Sequence, residues 1–415
     1  MNEEYLKKYC ELIIKVGVNL YEGQCLLINC GTGNADFAME LARTAYKEGA
    51  KYVEINFQSN KLSRARVDNT SAKDDLTFFP NYLIGRNFEF ISNDWAIVRI
   101  DNLEEMDALS GVDPEKYAAM SRREMENNRP MMQAYTSSKI CWSIAAIPGP
   151  NWAAKVMKTT ASEKALKEFT EKWIKVVRLD KKDPVAEWKS IGKKLIQRGD
   201  LLDKMNLDKL IFKGEGTDLE VGLNSNTIWK AGLTKAQNGR EFLANLPTEE
   251  VFTTPDYKRT NGKVRVTKPV KVMENQLNGI WFEFKDGNVI DFGADNGKEI
   301  LEKYFNIDEG ARRLGEVALV DKNSEVHKSG LIFNSILYDE NAACHIALGR
   351  GLASCFKNKD ELNTTEEMLK SGCNYSLVHT DFMIGSDVIN VMGVDNKGKE
   401  IQIIKDGEFV FSLLI

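Results

Sequence analysis

The spacing of apolar residues changes character near Asn206, and that change limits the possible folds more than any single motif does. Ahead of it, short apolar runs alternate with helical stripes. Leu6, Tyr9, Cys10, Ile13 and Ile14 recur at helical spacing over residues 3–17. Cys25-Leu26-Leu27-Ile28-Asn29 then predicts a strand, the stretch from Ala35 through Ala45 a helix closed by Gly49, and residues 52–56 a second strand. A strand, a helix and a strand in that order build parallel sheet, because the helix carries the chain back to start the next strand in the same direction. Residues 95–100 and 141–147 supply further strands. Over residues 155–205 an apolar stripe through Phe169, Trp173, Trp188 and Leu195 runs between charges of both signs, which predicts solvated helices and no basic binding patch.

Beyond Asn206 the period becomes two. Leu219, Val221 and Leu223 alternate, as do Val264 and Val266, and Leu210-Ile211-Phe212 is a short apolar run. Residues 281–285, the dipeptide Asp286-Gly287 and residues 288–290 read as a hairpin, since Asp-Gly suits the tight turn. A helix is expected near 297–305. Strands follow at 315–320, around 331–337, at 343–348 and at 376–384, with a closing hairpin over 400–411. The expectation is an α/β protein: an N-terminal α/β domain with a mostly parallel sheet, residues 1–205, and a mostly antiparallel β-rich domain, residues 206–415. A chain of 415 residues has room for two domains of that size.

Composition excludes several classes. With 56 Lys+Arg against 61 Asp+Glu the net charge is −5, so binding nucleic acid by neutralising phosphates is not expected. No apolar run approaches the ~18 residues of a membrane span, and the acidic, amphipathic start lacks the basic lead of a signal peptide. The seven cysteines are scattered without a C-x-x-C pair, which fits free thiols in the cytoplasm. Gly31-Thr32-Gly33 begins like a dinucleotide fingerprint, but Asp36 stands where the third glycine belongs, so no nucleotide cofactor is expected.

The chemistry concentrates in the second half. There are three histidines in the chain. His345 and His379 lie on predicted strands among small or apolar neighbours. His379 and Asp381 are two apart, so on a strand they share one face and form a ready pair of metal ligands; the same spacing also suits an ordinary imidazole–carboxylate hydrogen bond. Glu316 interrupts an apolar strand, Glu340 precedes Asn341-Ala342-Ala343, and Glu250 follows Glu249 in a segment with Val251 and Phe252. A glutamate within an apolar strand is costly to bury unless paired or metal-bound, although each could instead sit at a rim. His327, among polar neighbours, reads as a surface loop residue.

Four segments, LPTEEVF at 246–252, GEVALV at 315–320, YDENAACHIALG at 338–349 and HTDFMIGS at 379–386, resemble the aminopeptidase T family of metallo-aminopeptidases, also called the thermophilic metalloprotease family. Their order and spacing fit, and the resemblance spans essentially the whole chain. It implies a dinuclear site whose ligands here are Glu250, Glu316, Glu340, His345, His379 and Asp381. Glu316 is the implied bridge, and Glu340 is either a ligand or a carboxylate behind one. The choice of Glu250 over Glu249 rests on the resemblance, since only one of two neighbours in an extended segment points inward. The implied cofactors are two divalent ions: Zn, Co, Mn or Mg. The implied reaction is removal of N-terminal residues from short peptides by a metal-activated water. The α-amino group would be held by a metal or a carboxylate such as Asp339. The resemblance further implies a homodimer. One position departs from it: where a tyrosine assisting the reaction is expected, this chain has Leu352. Tyr338 or Tyr375 is then the alternative donor. A non-catalytic homologue that binds metal and peptide is the alternative function.

Overall fold

The structure, a computed structural model, describes residues 2–411 except Glu274 and Asn363. The chain forms two compact units, Met1–Lys189 with Leu233–Pro247, and Ser190–Gly232 with Thr248–Ile415.

The first unit is built on a four-stranded parallel sheet whose order is Tyr52–Gln58, Cys25–Gly31, Ala96–Ile100, Trp142–Ala145. Helix Ala35–Lys47 makes the crossover between the first two strands in sequence, and Gly49, at φ +95°, ends it in a conformation few other residues tolerate. Strand order reverses direction between Cys25–Gly31 and Ala96–Ile100, which in open α/β sheets is the usual ligand crevice. Two adjacent carboxylates lie beyond these strands. Glu104 accepts the N–H groups of Asn151 and Trp152 at 3.1 and 3.0 Å, so it caps helix Pro150–Val156. Glu105 accepts from Asn60 N–H at 2.7 Å and from the Ser59 hydroxyl at 3.0 Å, at the start of helix Asn60–Asn69. These helix ends, which elsewhere attract phosphate, are thus satisfied internally.

The second unit holds two main antiparallel sheets. The larger has eight strands in the order Asn288–Gly293, Trp281–Lys285, Pro255–Arg265, Thr217–Leu223, Leu207–Gly214, Asn390–Asp395, Glu400–Lys405, Glu408–Phe409. At the hairpin between Trp281–Lys285 and Asn288–Gly293, Asp286 and Gly287 have φ of 49° and 79°, the two positive values a type I′ turn needs. The smaller sheet has five strands: His379–Met383, His345–Gly349, Leu314–Val320, Glu250–Thr253 and Lys230–Ala231. Val251, Val317, Leu319, Ile346, Leu348 and Phe382 project from it into one apolar core with Leu210, Phe212, Val221 and Phe282 of the larger sheet.

Two segments differ from the sequence expectation. The strand expected around 331–337 is a loop followed by a short helix, Ile336–Asp339. The Asp339 carboxylate accepts the N–H groups of Phe333 and Ser335 at 2.7 and 3.1 Å, so those donors are withdrawn from any ladder, and Asn334 turns the chain at φ 55°. His327 is not in a loop but in helix Glu325–Ser329, with Nδ1 2.8 Å from the Ala342 carbonyl oxygen and Nε2 2.7 Å from Asp387.

Candidate metal centre

Strand register places the candidate side chains on one face. Along the five-stranded sheet, Glu250 pairs with Val320, Ala318 with His345, Glu316 with Ala347, Ala347 with Asp381, and Gly349 with His379. Side chains alternate along a strand, so Glu250, Glu316, His345, His379 and Asp381 all project opposite to the apolar core face. Between them on that face stand Ala318, Ala347 and Gly349. These short side chains leave room above the backbone for the longer acidic and imidazole groups to converge.

They do converge. His345 Nε2 lies 3.2 Å from Glu250 Oε2 and 3.9 Å from Glu316 Oε1. His379 Nε2 lies 3.2 Å from Glu316 Oε2 and 3.4 Å from Asp381 Oδ1. Glu316 therefore offers one oxygen to each imidazole. Two sets of potential ligand atoms, Glu250 with Glu316 and His345, and Glu316 with His379 and Asp381, each fall within 4.8 Å of one another. Both rings are turned by their other nitrogen. His379 Nδ1 is 2.7 Å from the Arg350 carbonyl oxygen and His345 Nδ1 is 3.2 Å from that of Ala343. A proton on Nδ1 donated to those carbonyls leaves Nε2 free as a lone-pair donor, the arrangement of a metal-ligating histidine.

The electrostatics are those of a crowded anionic pocket. Among the described residues, the two imidazoles are the basic groups within ion-pair reach of Glu250, Glu316 and Asp381. Burial drives the Glu316 carboxyl up, and Asp381 and Glu250 add to the rise against the pull of His379. Glu340, in the turn Glu340–Ala342, is driven well up by burial and by Glu250 and Asp381. Burial would push the His345 imidazolium down, but Glu250, Asp381 and Glu316 hold it at about 10. For Asp381 burial works upward, and His379 and His345 outweigh it, so its carboxyl lies low. Glu250 Oε2 is buried without a hydrogen bond despite its closeness to His345, because distance alone does not supply an aligned donor. A buried carboxylate oxygen without a donor, next to imidazole nitrogens and other carboxylates, fits a divalent cation.

The surroundings fix these groups. Asn341, fully buried, accepts the Glu249 N–H at 2.5 Å and donates to the Leu337 carbonyl at 3.0 Å, tying the start of the Glu250 strand to the Glu340 turn. The Glu249 carboxylate turns elsewhere and accepts the Glu325 N–H at 3.1 Å. Asp339 accepts two N–H groups of its own loop, as described. Leu352 exchanges hydrogen bonds with the Thr254 hydroxyl at 2.9 and 3.2 Å. Thr254 lies between the Glu250–Thr253 strand and the Pro255–Arg265 strand of the larger sheet. The Leu352 backbone is thus tied to the residue that follows the Glu250–Thr253 strand. The Tyr338 ring is buried and stacked on Phe333 at 4.9 Å, and Tyr375 lies under the Arg350 guanidinium at 5.2 Å. The sequence carries no sign of the roles of Asn341 and Thr254, which depend on contacts far apart along the chain.

Known proteins of the same kind extend over the whole chain. The family model described as thermophilic metalloprotease (M29) matches residues 2–409. "Aminopeptidase 2" of Geobacillus stearothermophilus is 36% identical over 411 residues, 99% of each chain. "Aminopeptidase T" of Thermus aquaticus is 34% identical over 407 residues, 98% of each. The solved structure "Wild-type AmpT from Thermus thermophilus" superposes with a TM-score of 0.90 at 33% identity, covering 99% of this chain and 100% of that one. With matches of this extent, and a sheet face of converging carboxylates and imidazoles, the chain belongs to the thermophilic metalloprotease (M29) family.

Proposed function

We propose that the protein is a cytoplasmic aminopeptidase that removes N-terminal residues from short peptides at a dinuclear metal centre. The observation that carries this reading is the position of Glu316, whose two carboxylate oxygens face two different imidazoles and which belongs to both ligand sets. A shared carboxylate is what two neighbouring cations need to offset their repulsion. Glu250 and His345 would complete one site, and His379 and Asp381 the other. Glu340, buried behind them, either adds a ligand or holds negative charge next to one. When bound, two divalent ions polarise a peptide carbonyl and acidify water.

The residues of the chain do the rest. The Arg350 and Ala343 carbonyls accept from Nδ1 of each ring, so that a cation displacing the Nε2 proton would meet a lone pair there. Asn341 and the core face beneath hold the carboxylates in place, so little reorganisation accompanies charge development. Four of the five converging side chains are buried, and His379, with 29% of its side chain exposed, marks the open side. Leu352 can neither donate nor take up a proton, so proton transfer falls to carboxylates of the cluster. The seven cysteines are all free, which accords with a reducing compartment. No described helix is long and apolar enough to cross a membrane.

The test is release of single N-terminal amino acids from a panel of di- to hexapeptides, after loading with Zn, Co, Mn or Mg. The reading expects release, abolished by a chelator and restored by metal. Stoichiometric metal and peptide binding with no release under any of the four ions would instead support a non-catalytic binding protein.

A further inference from the structure

The face that bears the metal candidates extends beyond them. Register places Lys230 opposite Phe252, Phe252 opposite Ala318, and Ala318 opposite His345. This row crosses four strands on the face of Glu250 and Glu316, because Phe252 is two residues from Glu250 and Ala318 two from Glu316. Read from the edge inward it offers a cation, an aromatic ring, a fully buried alanine and an imidazole. Ala231, the neighbour of Lys230, packs against the core on the opposite face, which fixes the side from which Lys230 projects.

Lys230 is an unusual lysine. It is half-buried, and no described residue pairs with its ammonium group. Burial pushes its pKa down; Cys355 and Asp203 oppose that, and Lys359 adds to it. Asp203 has its own donor, the Trp229 N–H at 2.9 Å. The chain carrying Lys359 is tied beside this edge by the Thr227–Phe356 bridge and by the Ile228 N–H donating to the Cys355 carbonyl at 2.8 Å. A partly desolvated ammonium without a partner costs free energy that an incoming carboxylate would offset.

Dimensions decide which carboxylate. Strands lie roughly 4.8 Å apart, so Lys230 stands roughly 10 Å from the strand of Glu316. Extended peptide advances about 3.5 Å per residue, so two or three residues beyond a scissile carbonyl cover that span. Phe252, half-buried on the same row, lies beneath the path.

We propose that Lys230 and Phe252 form the subsite for the downstream end of the substrate, with Lys230 binding the free α-carboxylate of a tri- or tetrapeptide and Phe252 flooring the residue between. This rests on the aminopeptidase reading and deepens it by naming the substrate class. Lys359 supplies a second positive charge near the same carboxylate.

The experiment compares a tripeptide acid with its C-terminal amide on the metal-loaded, full-length protein. The acid should exceed the amide in kcat/KM by on the order of 10- to 100-fold, mostly through KM. Lys230→Met should collapse that ratio toward one by weakening the acid, and Lys230→Arg should retain much of it. Equal use of acid and amide by the wild type overturns the proposal, with no variant needed. So does a ratio that survives in Lys230→Met, even if that variant melts at a lower temperature, since Lys230 would then be structural only. If the wild type cleaves neither peptide, the aminopeptidase reading falls, and calorimetry decides this proposal separately. Tighter binding of the acid, lost in Lys230→Met, would support it, and equal affinities would overturn it.

Discussion

Replacing one oxygen of Glu316 with nitrogen would leave its shape and remove its charge, and would also remove the lone pairs facing one of the two imidazoles. In a cluster where the neighbouring carboxylates outnumber the basic groups, that oxygen matters as a ligand and not as an ion-pair partner. Glu316→Gln should therefore retain the fold and lose at least about 100-fold in peptide hydrolysis, a loss at or above that seen when even outer partners of metal ligands are removed. Leu352 makes the opposite prediction. Its backbone is pinned to Thr254, which follows the strand of Glu250, and the family resemblance expects a reaction-assisting tyrosine at this position. Leu352→Tyr should raise kcat, by up to about 100-fold if the hydroxyl acts as an acid; steady-state kinetics on a tripeptide measures it, and an unchanged kcat would show that the position does not touch the reaction.

At the scale of elements, the five-stranded sheet separates stability from chemistry by its two faces. Ile346 lies on the core face and is fully buried, and Ile346→Ala should cost about 2–5 kcal/mol of stability in denaturant titrations. Ala347, its neighbour, stands between Glu316 and Asp381 on the other face. Ala347→Leu should fill the space where the carboxylates meet and remove metal binding, read by calorimetric titration with Zn, at a stability cost of about 1–3 kcal/mol. This two-faced pattern is also why much of the site was legible in the sequence. A histidine, an aspartate and a glutamate inside apolar strands announce themselves, and the two-residue step from His379 to Asp381 sets their common side. The parallel sheet and the Asp286-Gly287 hairpin were legible for the same reason, since local periodicity and turn chemistry decide them. What periodicity cannot show is pairing between distant strands. Lys230–Ala231 is two residues long and has no period to detect, yet it completes the sheet. Nor does an apolar run reveal that a carboxylate will take its N–H groups, as Asp339 does at Phe333 and Ser335, so a loop there looks like a strand. Asn341 and the return of Leu233–Pro247 to the first unit are likewise settled by contacts between distant residues.

At the scale of the whole molecule, metal binding at the proposed centre would be linked to folding. Several carboxylates of the second unit are buried together, and among the described residues two imidazoles offset those of Glu250, Glu316 and Asp381. A cation that binds the native cluster and not the unfolded chain stabilises by mass action, about 2.7 kcal/mol at a hundredfold excess over its Kd. Chelator-treated protein should thus melt at a lower temperature than metal-loaded protein, and differential scanning calorimetry should show the difference vanish when metal is returned. The homodimer that the family resemblance implies predicts a sedimentation mass of twice 46.9 kDa, and a single-chain mass at micromolar concentration would reject it. The claim on which everything else depends is that Glu316 joins two metal sites. Elemental analysis of the purified, metal-loaded protein and of Glu316→Gln, alongside N-terminal residue release, tests it directly. Two ions per chain and peptide hydrolysis are expected in the wild type, with both falling together in the variant. Full metal content and full activity in Glu316→Gln would contradict it.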